Sequence, residues 1–228
     1  MIKFLSLIFL GLSFFSLSAQ DKKKSPAPIK VISNYEAYLN SCQEDPKNRL
    51  VELKKEIPDL VLDIRYAGTN NFMKLAVYKQ ARAFARKPVS DQLKRIQKEL
   101  RKKGYGLKIY DSYRPYTATK TLYIKASNKN FVANPKQGSR HNRGCAVDLS
   151  LIYLKTGKDL PMPTPYDSFS EKAAAAYTDL PEPVKKNRDL LIRVMEAHGF
   201  KVLHNEWWHF DFRTWENYAL MDIPFEKL

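Results

Sequence analysis

The sequence predicts a single α+β domain, a mainly antiparallel sheet flanked by helices. Three observations carry this. The chain has 228 residues, enough for one well-formed core. Apolar residues make up 44% and charged residues 28%, near the values of ordinary globular domains. Helix-type and strand-type patterns then follow one another without regular βαβ alternation, which disfavours a parallel doubly wound sheet. No internal repeat is visible.

Met1, Ile2 and Lys3, the apolar run Phe4 to Leu17 and the small residues Ser18 and Ala19 have the layout of a secretory signal, residues 1–19. The run is short for a bilayer span of about 20 residues, and Lys22, Lys23 and Lys24 follow it directly. Cleavage after Ala19, export across the inner membrane to the periplasm and no stable membrane insertion afterwards are therefore expected. Residues 20–32, rich in Lys, Pro and Ser, read as a tether. The folded domain is expected over residues 33–228.

Within it, Leu60 to Tyr66 reads as a strand and Gly68 to Asn71 as a turn. Val89, Leu93, Ile96 and Leu100 recur at spacings of three and four, predicting an amphipathic helix from Pro88 to Lys103 that stops at Gly104. Leu107 to Asp111 reads as a strand, Tyr116 to Ala126 as a helix, and Ala146 to Tyr153 as a strand closed by a turn at Lys155 to Lys158. Leu190, Leu191, Val194 and Met195 share one face of a helix from Pro183 to His198, ending at Gly199 in a left-handed cap. Phe200 to Leu203 and Trp207 to Phe212 are the last strands, their aromatics forming core or pocket wall.

Lys and Arg total 39 against 24 Asp and Glu, a formal charge of +15. The basic residues are spread along the chain, and an exported protein does not meet nucleic acid, so a solvated basic surface is expected and nucleic acid is not a partner. Cys42 and Cys145 exclude a disulfide-rich scaffold and leave one bridge open.

Of four histidines, two fall where unusual chemistry is densest. Ser139 to Asp148 holds His141 and Asp148 six residues apart, and Glu206 to His209 forms Glu-x-x-His. Two imidazoles with one or two carboxylates suit a zinc ion with a coordination position left open, which means catalysis rather than stapling. Taken alone, His141 also fits an ordinary turn histidine. His198 suits a helix end, and His204 a structural role.

The paired motifs SxHxxGxAxD, here Ser139 to Asp148, and ExWH, here Glu206 to His209, with Tyr113-Arg114-Pro115 upstream, resemble those of the zinc D-alanyl-D-alanine dipeptidases. These belong to the wider group of D,D-/L,D-carboxypeptidases with the Hedgehog/DD-peptidase-like fold. The resemblance runs from about Ala37 to the C-terminus and is far more specific than either motif alone. It implies one Zn2+ held by His141, Asp148 and His209, with Glu206 as catalytic base. Arg114 matches the arginine that stabilises the tetrahedral intermediate, unless it only pairs with Asp111. Ser139 and Asp167 match positions that bind the dipeptide's amino end. The implied partner is a small dipeptide, hydrolysed to D-alanine in cell-wall peptide turnover or resistance. Trimming of longer wall peptides is the alternative within that chemistry. A silent binding module would lack a ligand or the base, and all are present. No oligomeric state follows from the sequence.

Strand parity adds two expectations. Asp148 shares a face with Ala146, so Cys145 points away from any metal. Glu206 and His209 fall on opposite faces of a regular strand, so their convergence requires a bulge or bend near Trp207.

Overall fold

The computed structural model describes residues 29–228. The signal at residues 1–19 and most of the tether lie outside them. The end of the expected tether is corrected: Val31–Ile32 form a short strand, β1, pairing in parallel with Leu220 and Met221 near the C-terminus. The helix α1 follows at Tyr35–Glu44, capped by Asn34, whose side chain accepts from the Ala37 amide.

The strand β2 (Leu50–Glu52) leads into the single turn α2 (Leu53–Glu56). The strand expected from Leu60 to Tyr66 is corrected to β3 at Val61–Leu62, because the chain then curls into a 3-10 turn at Arg65–Ala67. That turn buries Tyr66, whose carbonyl accepts from the amides of Val77 and Tyr78. The strand β4 (Phe84–Arg86) pairs antiparallel with β2 and runs directly into α3 (Lys87–Arg101).

In α3 the residues Val89, Leu93, Ile96 and Leu100 are fully buried along one face, as their spacing predicted. Gln97 on the same helix is buried too. It accepts from the Leu107 amide and donates to Asp59, each at 2.9 Å, which ties α3 to the sheet. Gly104 turns the chain with φ +79 into β5 (Tyr105–Asp111).

After α4 (Tyr116–Lys125) come β6 (Ala146–Tyr153), α5 (Glu182–Ala197), β7 (Phe200–Leu203), β8 (Glu206–Phe212) and β9 (Leu220–Met221). The central sheet has the order β3-β5-β6-β8-β7, with only the β3–β5 pairing parallel. The expected mainly antiparallel α+β architecture is what the chain adopts. Leu107 and Ile109 of β5, Val147, Leu149 and Leu151 of β6 and Phe210 of β8 join the α3 residues in one core. Each large apolar side chain buried there contributes about 1.5–3 kcal/mol relative to exposure.

The pairing of β7 with β8 carries the bulge that parity demanded. Val202 faces Phe210, but the next residue, Leu203, already faces Glu206, so Trp207, Trp208 and His209 have no partners on β7. The two tryptophans turn into the core, each 1% exposed.

Behind the sheet, Arg82 gathers distant segments. Its guanidinium donates to both Glu52 carboxylate oxygens at 2.9 Å and to backbone oxygens of Phe225 and Leu228 at 3.1 Å. The Arg82 hydrogen bonds lower the Glu52 pKa from the usual 4.5 to about 2. A carboxylate whose pKa is depressed on folding stabilises the fold above its unfolded value, and that contribution fades as pH falls through the folded one. Wild type should therefore melt above Glu52→Gln at pH 6, and the gap should close between pH about 4.5 and 2. A gap that does not change with pH would contradict this.

Candidate active site

The bulge in β8 is one of two irregularities that gather the site. The other lies in β5, where Ile109 faces Leu149 but Asp111 faces Asp148, so Tyr110 is an extra residue in the ladder. Asp148 of β6 in turn pairs with His209 of β8. Asp111, Asp148 and His209 thus stand side by side on three adjacent strands.

His141 arrives from a 3-10 turn, His141–Arg143, which ends at Gly144 with φ +70. A Cβ there would meet Leu50 Cδ2 at 2.6 Å, so both conformation and space require glycine. Asn142, fully buried, staples the turn. It accepts from the Ser139 amide and donates to the Arg114 carbonyl and Thr119 Oγ1, each at 2.8 Å.

The ring orientations follow from hydrogen bonds on the far sides. His141 Nδ1 donates to the Ser112 carbonyl at 2.7 Å, leaving Nε2 with a lone pair facing inward. His209 Nε2 meets Asp211 Oδ1 at 2.9 Å, leaving Nδ1 inward. Asp148 Oδ2 accepts from the Tyr166 hydroxyl at 2.9 Å, while its buried Oδ1 has no hydrogen-bond partner. That orphaned oxygen lies 3.0 Å from His209 Nδ1 and 3.4 Å from His141 Nε2. The three donor atoms lie within 4.8 Å of one another. Two imidazole nitrogens and one unsatisfied carboxylate oxygen, each fixed from behind, fit a zinc-type cation.

The electrostatics agree. Burial opposes charge on His209, but Asp148 and Asp211 outweigh it and push its pKa well above the usual imidazole range. Burial works equally against the Asp148 carboxylate, and the two histidines overcome it, pulling that group below the normal carboxylate range. The field at this point favours positive charge.

Glu206 Oε2 stands 3.9 Å from His209 Nδ1. Burial, helped by Asp148, raises its pKa to about 7 against the pull of His209. Arg114 is anchored by Asp111, whose Oδ2 accepts from Nε at 2.8 Å and Nη2 at 2.7 Å. Asp111 is itself held by the Tyr78 hydroxyl and the Ser112 amide. This is no surface pair, since Arg114 is 6% and Asp111 1% exposed. Arg114 Nη2 reaches within 3.9 Å of Asp148 Oδ2. Pairing with Asp111 and facing the site are therefore compatible.

Ser139 and Asp167 line the same cavity of about 350 Å3, together with Arg114, His141, Asp148, Glu206 and His209. Ser139 Oγ accepts from the His141 amide at 3.2 Å. Asp167 has φ +60 and accepts from the Tyr66 hydroxyl at 2.9 Å. Burial, with Asp148 adding repulsion, raises its pKa well above the carboxylate range.

All seven residues singled out from the sequence meet at one cavity. Sequence reasoning did not reach Asn142, Tyr66, Tyr166 or Asp211. Asp211 carried a signal, because a residue two beyond His209 on a strand shares its face.

The remaining candidates lie elsewhere or play other parts. Cys145 is outside the donor cluster, its thiol raised by burial to about 12. Cys42 and Cys145 are both buried and unbridged. His198 Nε2 meets Glu99 at 3.1 Å. His204 is exposed at the cavity rim.

Residues 46–219 match the family model described as D-Ala-D-Ala dipeptidase. The chain is 33% identical over 176 residues to the D-alanyl-D-alanine dipeptidase of Escherichia coli K12, covering 77% of this chain and 91% of that protein. It is 30% identical over 186 residues to the enzyme of the same name from Enterococcus faecalis V583, covering 72% and 87%. Among solved structures, a vancomycin-resistance D,D-pentapeptidase crystallised with Zn(II) aligns at TM-score 0.40 and 16% identity, over 59% of this chain and 75% of that one.

Proposed function

The chain belongs to the D-Ala-D-Ala dipeptidase family, and from that premise we propose that it is a zinc-dependent hydrolase releasing D-alanine from D-Ala-D-Ala. The observation that carries the reading is the convergence of His141 Nε2, His209 Nδ1 and the orphaned Asp148 Oδ1 beside a carboxylate and a guanidinium. His141, Asp148 and His209 would hold one zinc ion. When bound, zinc supplies a Lewis acid that makes water acidic enough to be a nucleophile near neutral pH.

The chain's own residues supply the rest. Glu206, with its pKa near 7, takes a proton from the attacking water and hands it to the departing amine. Arg114, locked by Asp111, presents fixed positive charge to the carbonyl oxygen as it becomes an oxyanion, with no reorganisation at the moment of reaction. Asp167 receives the substrate's ammonium group, whose charge relieves the penalty that burial imposes on this carboxylate. Ser139 adds a hydroxyl at the same wall.

The biological setting belongs to the same reading. The signal-like residues 1–19 support export to the periplasm, and turnover of wall peptides there is the role we assign. Among the described residues no helix is long and apolar enough to cross a membrane.

The test is release of D-alanine from D-Ala-D-Ala. Turnover should vanish with a chelator and return on adding zinc. Zinc-loaded protein that leaves the dipeptide intact would sink the reading.

A further inference from the structure

Three carboxylates face the cavity: Asp148, Asp167 and Glu206. None of them offers a substrate's free carboxylate a positive partner, so a cation on the cavity wall must receive it. Arg114, locked by Asp111 through two of its nitrogens, is already assigned to the developing oxyanion. The other arginine lining the cavity is Arg140, and neither motif nor family likeness assigns it anything. It falls on a position that SxHxxGxAxD leaves open.

Its backbone is fixed. The Arg140 carbonyl accepts from the amides of Arg143 and Cys145, each at 3.1 Å, so the side chain leaves the main chain beside His141 at a defined point. The guanidinium lies over the Trp215 ring, 4.7 Å from its centroid, a contact that consumes none of its donors. Among the described residues the carboxylate nearest it is Asp211, with Oδ2 3.6 Å from Nε, beyond hydrogen-bond range. The other Asp211 oxygen is occupied by His209. The Arg140 side chain remains 45% exposed at the cavity rim. A planar fork with unspent donors, seated against an aromatic ring, matches a carboxylate in two-point contact.

We propose that Arg140 receives the free C-terminal carboxylate of the substrate and so selects peptides whose terminal residue is the one released. The assignment rests on the peptidase reading and names the group that orients the leaving half of the substrate. It also gives the strongly basic chain a local use for one of its cations.

The experiment compares D-Ala-D-Ala with its C-terminal amide, using zinc-loaded wild type, Arg140→Met and Arg140→Lys. Wild type should prefer the acid. Arg140→Met should raise KM for the acid about ten- to hundred-fold, the range expected for losing a hydrogen bond to a charged group, with kcat nearly unchanged. Its kinetics on the amide should stay at the wild-type level, so the preference collapses. Arg140→Lys should recover part of it, because the charge returns without the fork. Equal losses on acid and amide would assign Arg140 a merely structural role and overturn the proposal, as would unchanged kinetics on both. Wild type that cleaves D-Ala-D-Ala while Arg140→Met keeps full selectivity defeats this assignment alone. Wild type that cleaves neither substrate defeats the peptidase reading and this assignment with it.

Discussion

Replacing Glu206 with glutamine is expected to lower kcat on D-Ala-D-Ala by about 10²–10⁴-fold, the contribution typical of a positioned general acid–base, while zinc content stays at the wild-type level. Glutamine keeps the shape and the hydrogen-bonding reach but cannot accept the proton of the attacking water. The expectation depends on where Glu206 stands: beside His209 yet outside the three-atom donor cluster, in surroundings that raise its pKa to about 7. An ordinary exposed glutamate would be a much weaker base at neutral pH. Steady-state kinetics with parallel metal analysis decides the matter. Loss of zinc together with turnover would make Glu206 a ligand, and full activity would remove it from the chemistry.

The second large effect is expected at Arg114. Arg114→Met should reduce kcat by about 10²–10³-fold, equivalent to about 2.7–4 kcal/mol of barrier, as for other fixed donors to a developing oxyanion. It should also lower stability, because Asp111 would be left buried without its partner; breaking such a pair costs about 3–5 kcal/mol. The two effects separate by measuring kcat at a temperature where circular dichroism shows the variant folded. Arg114→Lys sharpens the comparison, since lysine keeps charge but cannot reproduce the Nε and Nη2 grip on a single carboxylate oxygen. Normal kcat in folded Arg114→Met would reduce the residue to a buried strut for Asp111.

The legible parts of this protein are those where one periodicity dominates. Helix α3 could be read because Val89, Leu93, Ile96 and Leu100 all point at the same core, and β6 because it is buried over seven successive residues from Ala146 to Ile152. Helix α1 escaped because it buries only Tyr38 and Cys42 and shows little contrast between its faces. The strands β2 and β4 are three residues each, too short for a period of two to stand out, and their pairing joins positions more than thirty residues apart. The error at Leu60 to Tyr66 has the same origin: local alternation favoured a strand, but burying the Tyr66 ring beneath Arg114 required the chain to turn.

At the site, Arg114, Ser139 and Asp167 are reached only through the family resemblance, whereas His141, Asp148, Glu206 and His209 carry metal-binding or acid–base chemistry and stand out by type. Those that orient them do not. Asn142 and Tyr166 are common residues whose value comes from one contact each way, Asn142 to the Arg114 carbonyl and Tyr166 to Asp148. Nothing in their spacing announces this. The β8 bulge was deducible, because Glu206 and His209 cannot reach one point from a regular strand. The β5 bulge was not, since Asp111 had no assigned task that parity would have frustrated.

The measurement that bears most directly on the central claim is anomalous diffraction at the zinc edge from crystals of the zinc-loaded protein. One peak should appear, bonded to His141 Nε2, His209 Nδ1 and Asp148 Oδ1, and it should disappear in His141→Ala. A peak held by other residues, or none within that triangle, would contradict the account.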